Sequence, residues 1–413
     1  MTQTDTIAVD FGTSNSAAAV MRDGALVRIA VEDGAETLPT AVFFPADGGP
    51  MQIGTRAAQS LVAGEEGRYM RALKSILGLP LLHERRLISG RRRSVAEVIT
   101  AFLTVIRTKA EAQTGGAITR ALSGRPVRFH SADPARDAQA EADLRGCYEA
   151  AGYEHVDFLP EPEAAALACQ GMGAQADLGL IVDIGGGTSD FSVFESGATG
   201  FRIRASHGIR LGGTDFDHAV SMAHAMPVLG LGGQLRRTLG AGLLPVPRAP
   251  YVELSTWAKI PFLYTQDTRR MVADMVRHAV DTPAMERFAE VLEMELGHEL
   301  AFAVERGKIA ANDGAVGAAI DMGMVERGLR VALDAGGLEA VLEPTRGLLR
   351  VAMAETLQQA GVAGPDIGRI ILVGGSSLMG FVAEEAQGMC PDAQVLRSNA
   401  FTAVVDGLAL AAA

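Results

Sequence analysis

Two stretches of this chain follow one pattern: VDFGTSNSAAAV at 9–20 and VDIGGGTSDFSVF at 182–194. Each runs apolar strand, aspartate, apolar residue, glycine, hydroxyl, second strand. Their aspartates, Asp10 and Asp183, are 183 − 10 = 173 residues apart. That spacing predicts two similar lobes facing each other and excludes a short-period solenoid. The pattern also has an energetic problem. A carboxylate at the edge of an apolar core is unfavourable unless something pairs with it, and the run Gly185-Gly186-Gly187 loses extra backbone entropy on folding. A magnesium nucleotide would offset both costs. Backbone N–H groups of a glycine turn can nest a phosphate, and Thr13 and Thr188 add hydroxyl donors. Magnesium takes few protein ligands and bridges carboxylates to phosphates, so an aspartate beside each turn suits it. A hairpin whose turn is only a turn explains either stretch alone. It does not explain both together with a third glycine turn, VGGSS at 373–377.

Composition narrows the class. The 413 residues are 48% hydrophobic, enough for a sizeable core in roughly two to three domains. A net charge of −12, from 37 basic and 49 acidic residues, argues against a general nucleic-acid surface, and no nucleic-acid partner is expected. Cys147, Cys169 and Cys390 form no CxxC pair, which fits a reducing compartment and offers no zinc site. The N-terminus lacks a basic region followed by an apolar stretch, so no signal peptide is expected. No apolar run reaches the ~18–20 residues that span a bilayer. A cytoplasmic protein without a membrane partner is the expectation. Competing motifs fail: there is no GxxxxGK[ST], no HExxH and no GxSxG. GMGAQA at 171–176 follows a helical pattern and precedes a strand, the wrong order for a dinucleotide fold.

Along the chain, strands and helices alternate in a way that predicts an α/β protein. Strands are expected at 7–20 around the first glycine turn, at 26–31 and 40–45, at PVRFHS (126–131), at VDFLP (156–160), at 180–194 and at 369–373. Helices are expected at 94–111, with Ser94 and Glu97 as a capping box, at 135–151, from Pro162, at 337–360 and at 402–412. The longest helical pattern is 282–311, with Thr282 as N-cap and Pro283 in first position. RRLISGRRR at 85–93 reads as a solvated loop rather than a binding patch. Trp257, with Ile260, Phe262 and Leu263, reads as core.

DFGTSNS, VDIGGGTSDFS and ILVGGSSLM resemble the two phosphate motifs and the adenosine motif of the actin, sugar-kinase and heat-shock-chaperone ATPase superfamily. The chain is most similar to the nucleotide-binding domain of the heat shock protein 70 family. RALKSILG (71–78), LPEPEAAALA (159–168), LGGTDFD (211–217) and VERGKIAAN (304–312) resemble further elements of that family, in family order. The resemblance covers nearly the whole chain and implies a two-lobed actin-like ATPase fold, duplicated ribonuclease-H-like lobes around a nucleotide cleft. Lobe I would be 1–177 and lobe II 178–395 with an inserted subdomain at about 225–312. The tail 396–413 would return to lobe I as a helix. It implies ATP/ADP and Mg²⁺ as ligands. Asp10 and Asp183 would hold the metal through waters, with Glu161 orienting another metal-bound water. Gly12, Thr13, Ser14, Asn15, Gly185, Gly186, Gly187 and Thr188 would contact phosphates. Lys74 would sit by the γ-phosphate, and Asp190 would hold the hydrolytic network. Gly212, Gly213, Glu305, Lys308, Gly374, Gly375 and Ser376 would enclose the nucleotide. Such a set suits phosphoryl transfer, which depends on positioning and charge neutralisation.

Three departures from the family stand out. From the length, an ATPase domain without the family's peptide-binding domain is expected. The relay proline that precedes the hinge motif is expected to be replaced near His130. Ile309 and Leu378 stand where the family stacks arginines on adenine, so an aliphatic slot and weaker nucleotide binding are expected. The function implied is a slow, chaperone-like Mg-ATPase whose nucleotide-driven closure is read by an unknown client or co-chaperone. An actin-like scaffold and a nucleotide sensor that does not hydrolyse are the alternatives; a small-molecule kinase fits least.

Overall fold

The computed structural model describes residues 5–32, 34–168, 177–197, 200–397 and 402–413. Cys169 and the GMGAQA stretch lie outside them. Two five-strand sheet paths organise the chain, and they share one plan. In the first, Thr6–Phe11 pairs antiparallel with Asn15–Arg22, which pairs antiparallel with Ala25–Arg28. On its other side Thr6–Phe11 runs parallel to Arg120–Arg125, which runs parallel to His155–Pro160. In the second, Asp177–Ile184 pairs antiparallel with Ser189–Gly197, and that strand with Gly200–Ile209. Asp177–Ile184 also runs parallel to Arg369–Val373, and that strand parallel to Gln394–Arg397. The duplicated motif in the sequence is thus a duplicated sheet plan. Asp10 and Asp183 occupy corresponding places, near the end of the strand where the antiparallel and parallel halves meet.

That position explains the local composition. A strand with parallel neighbours is covered on both faces and reads as a continuous apolar run. Every residue of Arg369–Val373 is buried, as are Leu180 to Ile184. The core on these sheets mixes alanines such as Ala8, Ala17, Ala164 and Ala165 with Ile181, Phe194, Ile371 and Leu408. Helix Ala403–Ala411 packs on helix Glu161–Ala168 and on strands Thr6–Phe11 and Asn15–Arg22. A Cβ at Gly407 would lie 1.6 Å from the carbonyl oxygen of Ala164, so only glycine permits this crossing.

The capping box at Ser94 is formed: Ser94 Oγ accepts from the Glu97 N–H at 3.2 Å, and Glu97 Oε2 accepts from the Ser94 N–H at 3.0 Å. The helix it opens, Val95–Thr114, stops at Gly115 in the left-handed region. Helices Pro134–Ala150 and Ala335–Ala360 also lie close to their expected places.

Three expectations are corrected. PVRFHS is not a strand. The strand is Arg120–Arg125, and Pro126 directly follows it. The backbone donors beyond the proline bond to carboxylates instead of to a ladder: the Val127 N–H to Asp190 Oδ1 at 2.7 Å, and those of Phe129 and His130 to Asp137 Oδ1 at 2.6 and 3.2 Å. A proline therefore stands at the end of the strand before the hinge segment. The expected replacement of that proline near His130 rested on the wrong strand boundary.

The pattern at 282–311 is two helices, Thr282–Glu293 and Gly297–Asn312, with Asp281 and not Thr282 as the first N-cap. Glu295 adopts φ 55° at the break. The Tyr264 hydroxyl donates to the Glu295 carbonyl at 3.0 Å and accepts from the Gly297 N–H at 2.9 Å, while Arg269 pairs with Glu295 Oε1 at 2.9 Å. These contacts outweigh the helical periodicity. The arginine-rich stretch, finally, is a hairpin of Arg86–Ile88 and Arg91–Arg93 rather than a loop. Ser89 and Gly90 turn it with positive φ, Ile88 is buried, and the Arg93 guanidinium lies 4.6 Å from the Phe44 ring centroid.

The described residues form two compact units, 1–213 with 346–413, and 214–345. Both sheet plans belong to the first. In the second, Trp257 is buried as expected, edge-on to Phe302, and its Nε1–H donates to Asp217 Oδ2 at 3.0 Å. No helix among the described residues is long and apolar enough to cross a membrane.

Candidate functional site

Within the first unit the glycine turns of both sheets meet. Gly12 turns the chain so tightly that a Cβ there would lie 2.2 Å from the Asn15 carbonyl oxygen. In the matching turn the Gly185 N–H donates to the Thr188 carbonyl at 3.0 Å. The two turns face each other: a Cβ on Gly186 would lie 2.3 Å from Ser14 Oγ, and one on Gly187 3.0 Å from Thr13 Oγ1. Two further turns close on the same place. A Cβ on Gly212 would lie 2.5 Å from the Gly187 nitrogen, and one on Gly213 2.3 Å from Ser376 Oγ. Gly374, at φ 81°, could carry a Cβ only 2.4 Å from the Ile184 carbonyl oxygen. Four segments far apart in sequence thus present bare backbone to one another, which side chains at these positions would prevent.

The pocket they frame is lined by Asp10, Gly12, Thr13, Ser14, Asn15, Lys74, Glu161, Asp183, Gly185, Gly186, Thr188, Gly374, Gly375 and Ser376. Val373 and Val404 complete the lining. In sequence, an apolar residue at a strand end or in a helix carries no signal distinguishing a pocket wall from core. Asp190 stands just behind, anchored by the Val127 N–H. The Asp190 carboxyl also explains Gly208, where a Cβ would come within 2.4 Å of Oδ1.

Lys74 reaches the pocket from the short turn Leu73–Ile76, which follows Ala72 in the left-handed region at φ 59°. A left-handed alanine is strained by roughly 1 kcal/mol, which the surrounding packing must hold in place. The Lys74 ammonium donates to Glu161 Oε1 at 2.7 Å, with the two side chains 6% and 12% exposed. Glu161 owes its place to the direct step from strand His155–Pro160 into helix Glu161–Ala168.

The electrostatics are those of a site with excess negative charge. Burial, reinforced by the Glu161 charge, pushes the Asp10 carboxyl up to about 7, with Lys74 opposing. Burial and Glu161 push Asp190 up to about 8 against the Val127 N–H, Lys74 and Thr188. Burial, then Glu161, Asp190 and Asp10, hold Asp183 well above the usual carboxylate range. Burial opposes the charged form of Lys74, but Glu161, Asp10 and Asp190 outweigh it and raise the ammonium above its ordinary value. One ammonium faces four carboxyl groups here. A hard cation with oxygen ligands fits this donor set, and the bare glycine turns fit a phosphate chain beside it. Among the described residues, no three of His, Cys, Asp and Glu form a metal cage by themselves.

Glu305 and Lys308, expected at the nucleoside, lie on helix Gly297–Asn312 in the second unit. There the Lys308 ammonium pairs with Asp217 Oδ1 at 2.7 Å, both side chains below 9% exposed. Burial raises the Asp217 carboxyl, with Lys308 opposing and Glu305 adding to the rise. Ile309 and Leu378, at the positions of the expected aliphatic slot, are 48% and 42% exposed.

Comparison with known proteins agrees with this geometry. The sequence profile of the Hsp70 protein family matches residues 6–226. A Chaperone protein HscA homolog of Azoarcus sp. (strain BH72) is 33% identical over 230 residues, which cover 51% of this chain and 36% of that protein. Chaperone protein DnaK of Endomicrobium trichonymphae is 33% identical over 222 residues, 52% of this chain and 34% of that protein. The match thus spans about a third of the length of these relatives.

Proposed function

This chain belongs to the Hsp70 family, with that family's actin-like ATPase fold, and from that premise we propose that it binds Mg-ATP and hydrolyses it slowly. The observation that carries the proposal is the convergence of four glycine turns on the Lys74–Glu161 pair. The N–H groups of residues 12–15 and 186–188 cradle the phosphates, and Thr13 and Thr188 donate their hydroxyls. Asp10 and Asp183 would hold magnesium, and Glu161 would orient a water beside it. When bound, the metal neutralises phosphate charge. The Lys74 ammonium sits against the γ-phosphate and the attacking water, where Glu161 fixes its direction. Asp190, tied to the Val127 N–H, steadies the turn that carries Thr188. Gly212, Gly213, Gly374, Gly375 and Ser376 close over the nucleotide. The nucleotide-dependent state is read by a protein client or co-chaperone in the cytoplasm.

Single-turnover hydrolysis of Mg-ATP tests this reading. The wild type should convert bound ATP to ADP and phosphate, and Asp183→Asn should bind ATP yet turn it over about a hundredfold more slowly. Binding without turnover in the wild type would make the protein a nucleotide sensor, and no binding at all would end the proposal.

The exposed Leu378 adds a second test. An arginine on the adenine face contributes roughly 0.5–2 kcal/mol, so Leu378→Arg should tighten ATP binding by about twofold to thirtyfold. Titration calorimetry decides it: an unchanged affinity would remove Leu378 from the adenine slot.

A further inference from the structure

The second unit carries a hairpin that takes no part in the nucleotide site. Strands Gln234–Arg236 and Leu243–Pro245 pair antiparallel, with Leu235 opposite Leu244 and Arg236 opposite Leu243. The hairpin follows residue 226, where the match to the Hsp70 family profile ends. Its base is fixed. The Val280 N–H donates to the Gln234 carbonyl at 2.9 Å, and the Val246 N–H to the Gly233 carbonyl at 3.0 Å. Leu235 bridges Ala279, and the Arg236 guanidinium donates to the Ala279 carbonyl. Its tip is bare. Every residue from Arg236 to Pro245 is exposed, and Val246 beyond them is buried. Leu239 is 88% exposed, Leu243 47% and Leu244 45%. Gly240 and Gly242 bend the tip at φ 80° and 113°. From Leu239 to Pro245 the chain therefore presents leucine, alanine, glycine and proline, with no polar side chain.

Single exposed leucines are ordinary, but three on one anchored ribbon mark a surface that something covers. Charge narrows the occupant. From 218 to 252 the chain has no Asp or Glu, although it holds 49 acidic residues in all, and Arg236, Arg237 and Arg248 flank the leucines. Among the described residues no carboxylate pairs with Arg237 or Arg248. A second copy of the chain fits poorly. Two such tips would bring arginines together, and Pro245 and the three-residue strands blunt the edge that would pair. Protein partners are met through aromatic anchors and directed hydrogen bonds, and the side chains from Leu239 to Pro245 offer neither. A lipid headgroup layer asks for neither. It takes up apolar side chains at its boundary with the acyl chains and draws arginines to anionic headgroups.

We propose that this leucine tip docks on an anionic phospholipid surface, with Leu239, Leu243 and Leu244 entering the headgroup layer and Arg237 and Arg248 facing the lipid charges. The expectation of no membrane partner rests on the lack of a spanning run, and a hairpin lying in the interface spans nothing. The net charge of −12 opposes approach, but salt screens charges more than ~10 Å from the surface.

Vesicles of phosphatidylcholine alone, and of equal parts phosphatidylcholine and phosphatidylglycerol, are the probes. In co-sedimentation the full chain should bind the mixed vesicles at least about tenfold more tightly than the neutral ones. Leu239→Ser should weaken that binding about tenfold or more, as expected for one leucine returned to water. Arg237→Gln with Arg248→Gln should weaken it roughly twenty-five-fold, about fivefold for each arginine. All three positions are exposed and lie outside the nucleotide site, so the melting temperature and ATP binding should stay those of the wild type. Failure of the wild type to bind mixed vesicles overturns the proposal and leaves the tip to a protein partner. Equal binding to both kinds of vesicle overturns it too, as does binding that survives both variants. Self-association of the wild type that Leu239→Ser abolishes, with no binding to vesicles, would instead assign the tip to a second copy.

Discussion

Lys74→Met is expected to melt well below the wild type and to lose ATP turnover by about a hundredfold to a thousandfold. The two effects have separate causes. Glu161 lies 12% exposed with Lys74 as its ammonium partner at 2.7 Å. Removing one member of a buried pair strands the other charge and costs about 3–5 kcal/mol. Turnover falls because the ammonium no longer faces the γ-phosphate. A double variant separates these causes. Lys74→Met with Glu161→Gln removes both charges, so most of the stability should return while turnover stays lost. Thermal melts and single-turnover kinetics on the three proteins give the cycle. If Lys74→Met melts like the wild type, Glu161 is balanced by something other than Lys74.

The metal-free protein is expected to lose stability as pH rises from about 4 to about 8, the reverse of ordinary paired carboxylates. In the unfolded chain these carboxyls ionise near 3.8; in the folded chain Asp10 ionises near 7 and Asp190 near 8. Between those values the folded state binds more protons than the unfolded state, so stability falls with rising pH. The fall starts as pH passes the unfolded value, is complete for Asp10 near 7 and for Asp190 near 8, and includes Asp183, raised in the same direction. Since one pKa unit corresponds to about 1.4 kcal/mol, the combined loss is several kcal/mol. A cation binds the ionised forms, so Mg²⁺ should raise the melting temperature more at about pH 8 than at about pH 5.5, by roughly 5 °C or more. Calorimetry with and without millimolar Mg²⁺ checks both signs. A metal-free protein more stable at about pH 8 than at about pH 5.5 would mean that the carboxyls are already compensated within the fold.

Much of the site was legible because its signals are local. A strand, an aspartate, a glycine turn and a hydroxyl repeat over about a dozen residues, and each part carries its own backbone preference. The capping box at Ser94 and Glu97 is local in the same way. The errors fell where a distant group decided the outcome. PVRFHS has strand-like residues, but Asp137 and Asp190 take its N–H groups. The periodicity over 282–311 continues through Glu295, yet Tyr264 and Arg269 reward a break there. The arginine run at 85–93 carries too few apolar residues to announce strands, and it pairs because Ser89 and Gly90 turn it back on itself.

By itself the sequence determined the duplicated strand-turn motif and the carboxylates beside each turn. Only the tertiary structure decided what those groups meet. It placed Lys74 against Glu161, 87 residues away, and pressed Gly186 against Ser14. The physical reason is the range of the interactions. Backbone preference and periodicity act within a few residues, whereas burial, charge balance and the space left for a Cβ depend on neighbours that the fold alone brings together.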